Sequence, residues 1–487
     1  MNNKQYDIVI VGAGPTGLAL AQCLSNIKGK KILIIDREKT IGGCHRVIRD
    51  KDGLFTEHGP RIYISNYKNV FSLINEIGLE LKDVFILYRY SIIDLLFSNI
   101  LPNITFNEII ILTLDFLYYM YDENYGNNIN YEKYLKDNKF SEKIIDIFDR
   151  LFRFLDGAEL SKYSLNKVQN IFNIATFIDI YQPIKPLDVG LFNHWKVFLE
   201  KKGIDFLLET NVEKINYDKG KIVSINANNK LINLDKLILA VPPVSMLKIL
   251  ENNDINVKNC FGNLDSFKEW SEKTEYIEYI SITYHFINDI DIPNVSGATL
   301  DTDWGIVCIY LSNYMKDIEK NYKKLLSAAI TITDRKSSFI NKTANECSEK
   351  ELLDEVYRQL KESIYPKLPN KEFYKGIINP NSYYKDGKWN CKDEAFFNTI
   401  GTKNLKNTSD TIDNIYNAGS HNGNSYIHYT TMECAVSNGL SLGTMLYPEL
   451  KEKYKLKTFL SLKDYLFYLF IIIIVILIIY LLIANYN

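Results

Sequence analysis

No excess of either charge marks this chain: 57 lysines and arginines stand against 59 aspartates and glutamates, a formal net charge of −2. That leaves no electrostatic case for nucleic acid as a partner. Paired cysteines are also missing. The seven cysteines, at 23, 44, 260, 308, 347, 391 and 434, form no C-x-x-C, and no His/Cys group has zinc spacing. Free thiols in a reducing compartment fit that pattern, and no metal is expected. No nucleophile triad stands out, and no signal peptide precedes the first apolar run. What the chain does have is length and aromatic residues. Its 487 residues are too many for one hydrophobic core, so two or more packed units are expected. The 34 tyrosines and 25 phenylalanines are either filler or the lining of a site for an apolar or planar substrate.

The first informative stretch is Tyr6 to Val11, a β-rich run fit for a buried parallel strand, followed by GAGPTG and a helical LALAQCLSN. Gly12, Gly14 and Gly17 have G-x-G-x-x-G spacing. The first glycine makes a tight turn, the second admits a pyrophosphate against the backbone, and the third lets helix and strand pack closely. A second strand, KKILIID, ends in Asp36, placed to accept hydrogen bonds from an adenosine ribose. This unit implies a bound dinucleotide and does not by itself separate NAD from FAD. Gly42 and Gly43 do, because a nicotinamide enzyme has no use for two glycines just there.

GAGPTGLALA with D-R-E-K-T-I-G-G resembles the flavin-containing amine oxidase superfamily, which includes phytoene desaturases and protoporphyrinogen oxidases, with UDP-galactopyranose mutases as more distant relatives. The resemblance implies a discontinuous Rossmann-like FAD-binding α/β domain, non-covalent FAD and an α+β substrate domain. Cys44 stands where disulfide reductases carry a redox pair, but no second cysteine follows, so it reads as a small packed residue. Later segments follow the family order. FTEHGPRIY (Phe55 to Tyr63) falls where the family passes the flavin ring, with His58 and Arg61 as flanking candidates. Phe206 to Pro243 holds two hairpin signals, and Val212 matches a residue at the adenine end. Asn414 to Gly439 resembles the last FAD motif, with Ala418 and Gly419 at the pyrophosphate and Met432 and Glu433 opening a helix toward the flavin; Cys434 replaces the usual glycine there. The implied cofactor set is Gly12, Gly14, Gly17, Asp36, Arg37, Gly42, Gly43, Val212, Gly419 and Met432.

The expected layout is FAD-domain segments at 1–80, 194–260 and 401–450. A helical insertion fills 81–193, a sheet-rich substrate domain 261–400, and a basic linker 451–464 leads to 465–484. That last segment, YLFYLFIIIIVILIIYLLIA, has the length and apolarity of a transmembrane tail anchor. Five lysines between 451 and 463 would keep the catalytic domain cytosolic.

The resemblance implies hydride transfer from a lipophilic or amine substrate to flavin N5 by a membrane-anchored FAD oxidoreductase. Two amine-oxidase marks are absent: no lysine lies in Glu275 to His285, and no cysteine has the context for covalent flavin attachment. Catalytic candidates are His58, Arg61, Tyr426 and Tyr429. A mutase-like flavin isomerase, supported by HGPRIY, and a non-catalytic binding module like the Rab GDP-dissociation inhibitors remain as alternatives, although Gly17 argues for a bound cofactor.

Overall fold

The computed structural model describes residues 5–88, 100–175, 178–276, 279–289, 302–315, 322–363, 365–370, 374–398 and 400–486. The apolar run expected from residue 91 to Pro102 lies outside them as far as residue 99.

Seven strands form the main sheet. The apolar β1 (Gln5–Val11) lies at its centre, where a continuous run of isoleucine and valine can be buried on both faces. On one side it pairs in parallel with β2 (Ile32–Ile35), which pairs in turn with Asp205–Leu207. On the other side lies Lys230–Leu239, also parallel. That long strand carries an antiparallel extension of Lys221–Ala227 and Val212–Asp218, joined by the two expected hairpin turns. Positive φ at Lys219, Gly220, Asn228 and Asn229 marks those turns. Its far end pairs in parallel with Ile415–Asn417, so a strand from near the C-terminus completes the same sheet.

One helix of this layer is α1 (Pro15–Leu24), every residue of which is buried. It packs against Met432–Leu446, where Gly439 and Gly443 allow close contact. A Cβ on Gly439 would run into the Thr16 carbonyl, and one on Gly443 would lie 2.7 Å from the Cys23 sulfur. A separate antiparallel sheet has the order Val307–Ile309, Lys324–Ile330, Ile280–Phe286, Tyr374–Ile378. Its core includes Leu352, Val356 and Leu360 of the helix Glu349–Ser363, which Ser348 caps through Glu351. Between residues 100 and 175 the chain is mostly helical around a core of its own, with Phe148, Phe152 and Tyr163 at its centre.

The expected membrane anchor is not found. Among the described residues no helix is long and apolar enough to cross a membrane. The last helix, Leu462–Tyr486, carries Lys463 and Asp464 in its first turn. The C-terminal transmembrane helix, the tail-anchored function, the membrane as partner and the single-pass localisation with a cytosolic domain are all corrected accordingly.

Candidate functional site

The glycine loop leaves β1 at a point where only glycine fits. Gly12 has φ +114°, and a Cβ there would collide with the Ala240 carbonyl at the end of the neighbouring strand. Gly17 works by closeness, since its Cα hydrogen faces the Gly12 carbonyl where a Cβ would clash. Gly14 is different. A Cβ on it would meet no protein atom nearer than 3.7 Å, and Gly14 lines an open space. Gly42 (φ +116°) is held against the ring of Phe192, and Gly43 brings its backbone beside Gly14. Two glycine segments 28 residues apart thus form one bare backbone cradle, the form a pyrophosphate needs.

That cradle opens into a cavity of about 1010 Å³. Ordinary small-molecule pockets run to about 1,000 Å³, so there is room for a ligand of dinucleotide size. The lining falls into two groups. The first comes from the main sheet and its loops: Gly12, Gly14, Asp36, Arg37, Gly43, Val212, Ala418, Gly419 and Met432. Gly17 and Gly42 are not in the lining and act through packing behind it. The second group comes from the helical segment, the second sheet and the loop just before Met432–Leu446. It includes Leu151, Phe154, Leu155, Ile171, Phe172, Val307, Ile309, Ala329 and Tyr429.

Asp36 does more than face the cavity. Its Oδ2 accepts from the Ala13 amide at 2.7 Å and its Oδ1 from the Glu38 amide at 2.8 Å. The carboxylate therefore ties the glycine loop to the end of β2, and burial raises its pKa. Arg37 reaches Ser245 and the Lys392 carbonyl, both at 3.4 Å, across the mouth of the first group.

The strongest polar pair in the wall was not apparent from the sequence. Arg46, 8% exposed, pairs with Asp393 at 2.5 Å and donates to the Gly43 carbonyl at 3.0 Å. Asn381 donates to both Asp393 oxygens. Burial would raise the Asp393 pKa, but His58 and Arg46 outweigh it and hold the carboxyl well below its usual range. Asp393 belongs to the loop after Lys388–Cys391, whose next residue, Glu394, accepts from Ser245 and pairs with Lys248 at 3.3 Å. One loop of the sheet-rich part is thus fastened over the glycine cradle by buried and rim charges.

The four catalytic candidates separate in space. Arg61 and Tyr429 line the cavity. His58 is buried outside its lining, 3.7 Å from Asp393, with its ring against Tyr279 at 4.8 Å. Tyr426 is 49% exposed and not in the lining. Cys44 does line the cavity, but burial pushes its thiol pKa up to about 11, so it is not a nucleophile at neutral pH. Glu433 turns away from the cavity: its carboxylate accepts from the amides of Asn69 and Val70 at the start of α2 (Lys68–Glu76). His58, Cys391 and Asp393 place three potential ligand atoms within 4.8 Å of one another, a grouping that spacing in the sequence does not reveal. The Asp393 oxygens there are already held by Arg46 and Asn381.

Comparison with known proteins agrees with this geometry. A family model described as an NAD(P)-binding Rossmann-like domain matches residues 10–77. UDP-galactopyranose mutase of Mycoplasma genitalium is 35% identical over 95 residues, 17% of this chain and 23% of the mutase. A 15-cis-phytoene desaturase of an Oncidium hybrid cultivar is 36% identical over 77 residues, 16% of this chain and 13% of the desaturase. The chain thus spans a quarter or less of the length of these curated relatives. Cyclohexylamine oxidase from Brevibacterium oxydans is similar in structure, with a TM-score of 0.62 at 14% identity, over 92% of this chain and 100% of the oxidase. At that identity the likeness is one of fold. The glycine cradle, the discontinuous sheet and these likenesses agree on a flavin cofactor, and the chain has the fold seen in FAD-dependent amine oxidases.

Proposed function

We propose that this chain is an oxidoreductase that holds FAD non-covalently along the first lining group and a small, neutral, apolar substrate against the second. The observation that supports this most is the continuity of one cavity from the glycine cradle to a wall of aliphatic and aromatic side chains. When bound, the flavin supplies a hydride acceptor. The chain's own residues do the rest. Gly12, Gly14 and Gly43 leave backbone room for the pyrophosphate, Gly17 and Gly42 pack behind them, and Gly419 and Met432 approach from the last motif. Asp36, Arg37 and Val212 would hold the adenosine end. Arg61 and Tyr429 are the candidates left beside the reacting centre.

The preference for a neutral substrate follows from charge. Among the second group's neighbours, Arg153 is already engaged by Asp149 at 2.8 Å and Glu159 at 3.4 Å, and the acid Asp179 is exposed. Among the described residues there, a free cation would meet no buried, unengaged carboxylate, and burying it would be costly. A sugar-nucleotide isomerase, suggested by the mutase likeness, needs cations for a diphosphate on that side; Arg153 is engaged, which leaves Arg61 of the lining to serve it.

Absorbance of the purified full-length chain is the first test. A yellow protein with a flavin spectrum is expected, and a colourless one after gentle preparation would remove both enzymatic readings. Anaerobic bleaching by neutral apolar C–H donors is expected next. Bleaching by dithionite alone, together with sugar-nucleotide isomerisation, would favour the isomerase.

A further inference from the structure

Behind the wall that carries His45, Arg46 and Arg61 lies a second, much smaller cavity of about 10 Å³. Those three residues line both spaces, while Glu57, Tyr63 and Gln182 line only the small one. A cavity of this size holds about one water molecule, provided two or more polar partners face it. Two such partners are present: Glu57 Oε1 and Gln182 Oε1, both buried acceptors with no hydrogen bond among the described residues. One water can donate to both when Glu57 is a carboxylate; when Glu57 is protonated the water accepts from its O–H, keeps one O–H on Gln182 and has the other free for Tyr63.

We propose that Glu57 is a proton-holding residue of this site, linked to the main cavity through one bound water, the Tyr63 hydroxyl and the His45 imidazole. The Tyr63 hydroxyl lies 3.4 Å from His45 Nδ1, and Tyr63 is fully buried. When the carboxyl donates, its O–H bond breaks and the proton passes to the water, which gives one of its own to the Tyr63 oxygen. Tyr63 passes its proton to His45 Nδ1, and His45 releases the proton on Nε2 into the cavity. Water and Tyr63 end unchanged, His45 ends as its other tautomer, and Glu57 ends as a carboxylate near Arg61.

The groups around Glu57 suit both states. Arg61 lines the same small cavity and favours the carboxylate, as does a hydrogen bond from Ser327 of the second sheet. Arg46 stands before the paired strand, Val47–Arg49, while His285 of the strand Ile280–Phe286 bonds to the Phe55 carbonyl beside it. Burial outweighs these and pushes the Glu57 pKa up to about 7, while His45 is kept neutral by burial and by Arg61. The proposed flavin chemistry would supply a use for the proton, since substrate oxidation changes the proton count of the cavity. The relay itself is testable without it.

Infrared spectroscopy of the full-length protein across pH, in water and after a jump into D2O, reads the carboxyl group directly. A buried carboxylic acid band titrating near pH 7 is expected to vanish in Glu57→Gln. A second band, from Glu433, serves as the internal reference and disappears in Glu433→Gln instead. Tyr63→Phe should slow deuteration of the Glu57 carboxyl about tenfold or more while leaving the Glu433 band's exchange as it was. Should Glu57→Gln fail to fold, Gln182→Leu removes the water's second partner and must slow the same exchange. A Glu57 band titrating in the ordinary carboxylate range, or exchange that neither Tyr63→Phe nor Gln182→Leu slows, overturns the proposal. Neither readout depends on bound flavin, so a failed relay and a failed flavin assignment give different results.

Discussion

The two lining groups of the main cavity are built on opposite principles. The first is mostly backbone: bare glycines, strand ends and a helix N-terminus, with Asp36 and Arg46 tightening the loops from behind. The second is all side chain, contributed by helices and a second sheet that have cores of their own. A backbone site tolerates almost no change at a few positions and is indifferent elsewhere. A side-chain site can be reshaped residue by residue, which is how one fold comes to serve different substrates.

Substitution at Gly14 tests that contrast most severely. Gly14→Ala adds a Cβ that meets no protein atom nearer than 3.7 Å, so the protein should fold with an unchanged melting temperature yet lose flavin affinity by about 100-fold, roughly 2.7 kcal/mol. Gly17→Val, by contrast, should disrupt the fold itself, and equal effects at the two positions would break the distinction. The clasp comes next. Asp393→Asn leaves the buried Arg46 with only the partly exposed Glu38, at 3.4 Å, and should cost about 3 kcal/mol in urea unfolding, with faster flavin release. Adding Arg46→Met should recover part of that loss. On the other side, Phe172→Ala should raise the KM for an apolar substrate about tenfold while flavin content stays constant.

The smallest expected effect concerns pH. Burial raises the Glu433 pKa from 4.5 to about 7 despite three donated hydrogen bonds. Its contribution to stability is full below the unfolded value and is lost as pH rises through about 7. Glu433→Gln should therefore flatten the fall in melting temperature between about pH 4.5 and 7 by about 2 °C.

How much of this could be read from the residues follows the same division. Gly12, Gly14 and Gly43 are recognisable because a backbone constraint leaves a short, local spacing, and the two hairpin turns were equally plain. Asp36 could be placed at the cavity, but its bonds to Ala13 and Glu38 could not, since they depend on how the loop closes. The Arg46–Asp393 pair joins positions 347 apart, and no local pattern announces a contact at that range. Tyr426 and Tyr429 differ by less than one helical turn in sequence, yet one is on the surface and the other in the cavity. The tail anchor was expected from the length and apolarity of 465–484, and among the described residues no helix is long and apolar enough to cross a membrane.

The fit of Gly439 and Gly443 against α1 has a consequence for the order in which the molecule is made. Helix α1 is buried on all its residues, yet one surface that covers it is encoded more than 400 residues later. Loop closure over that span is slow compared with local helix formation. During synthesis, then, β1, α1 and β2 wait with an apolar flank uncovered, and the cofactor cradle is among the last parts of the protein to become complete.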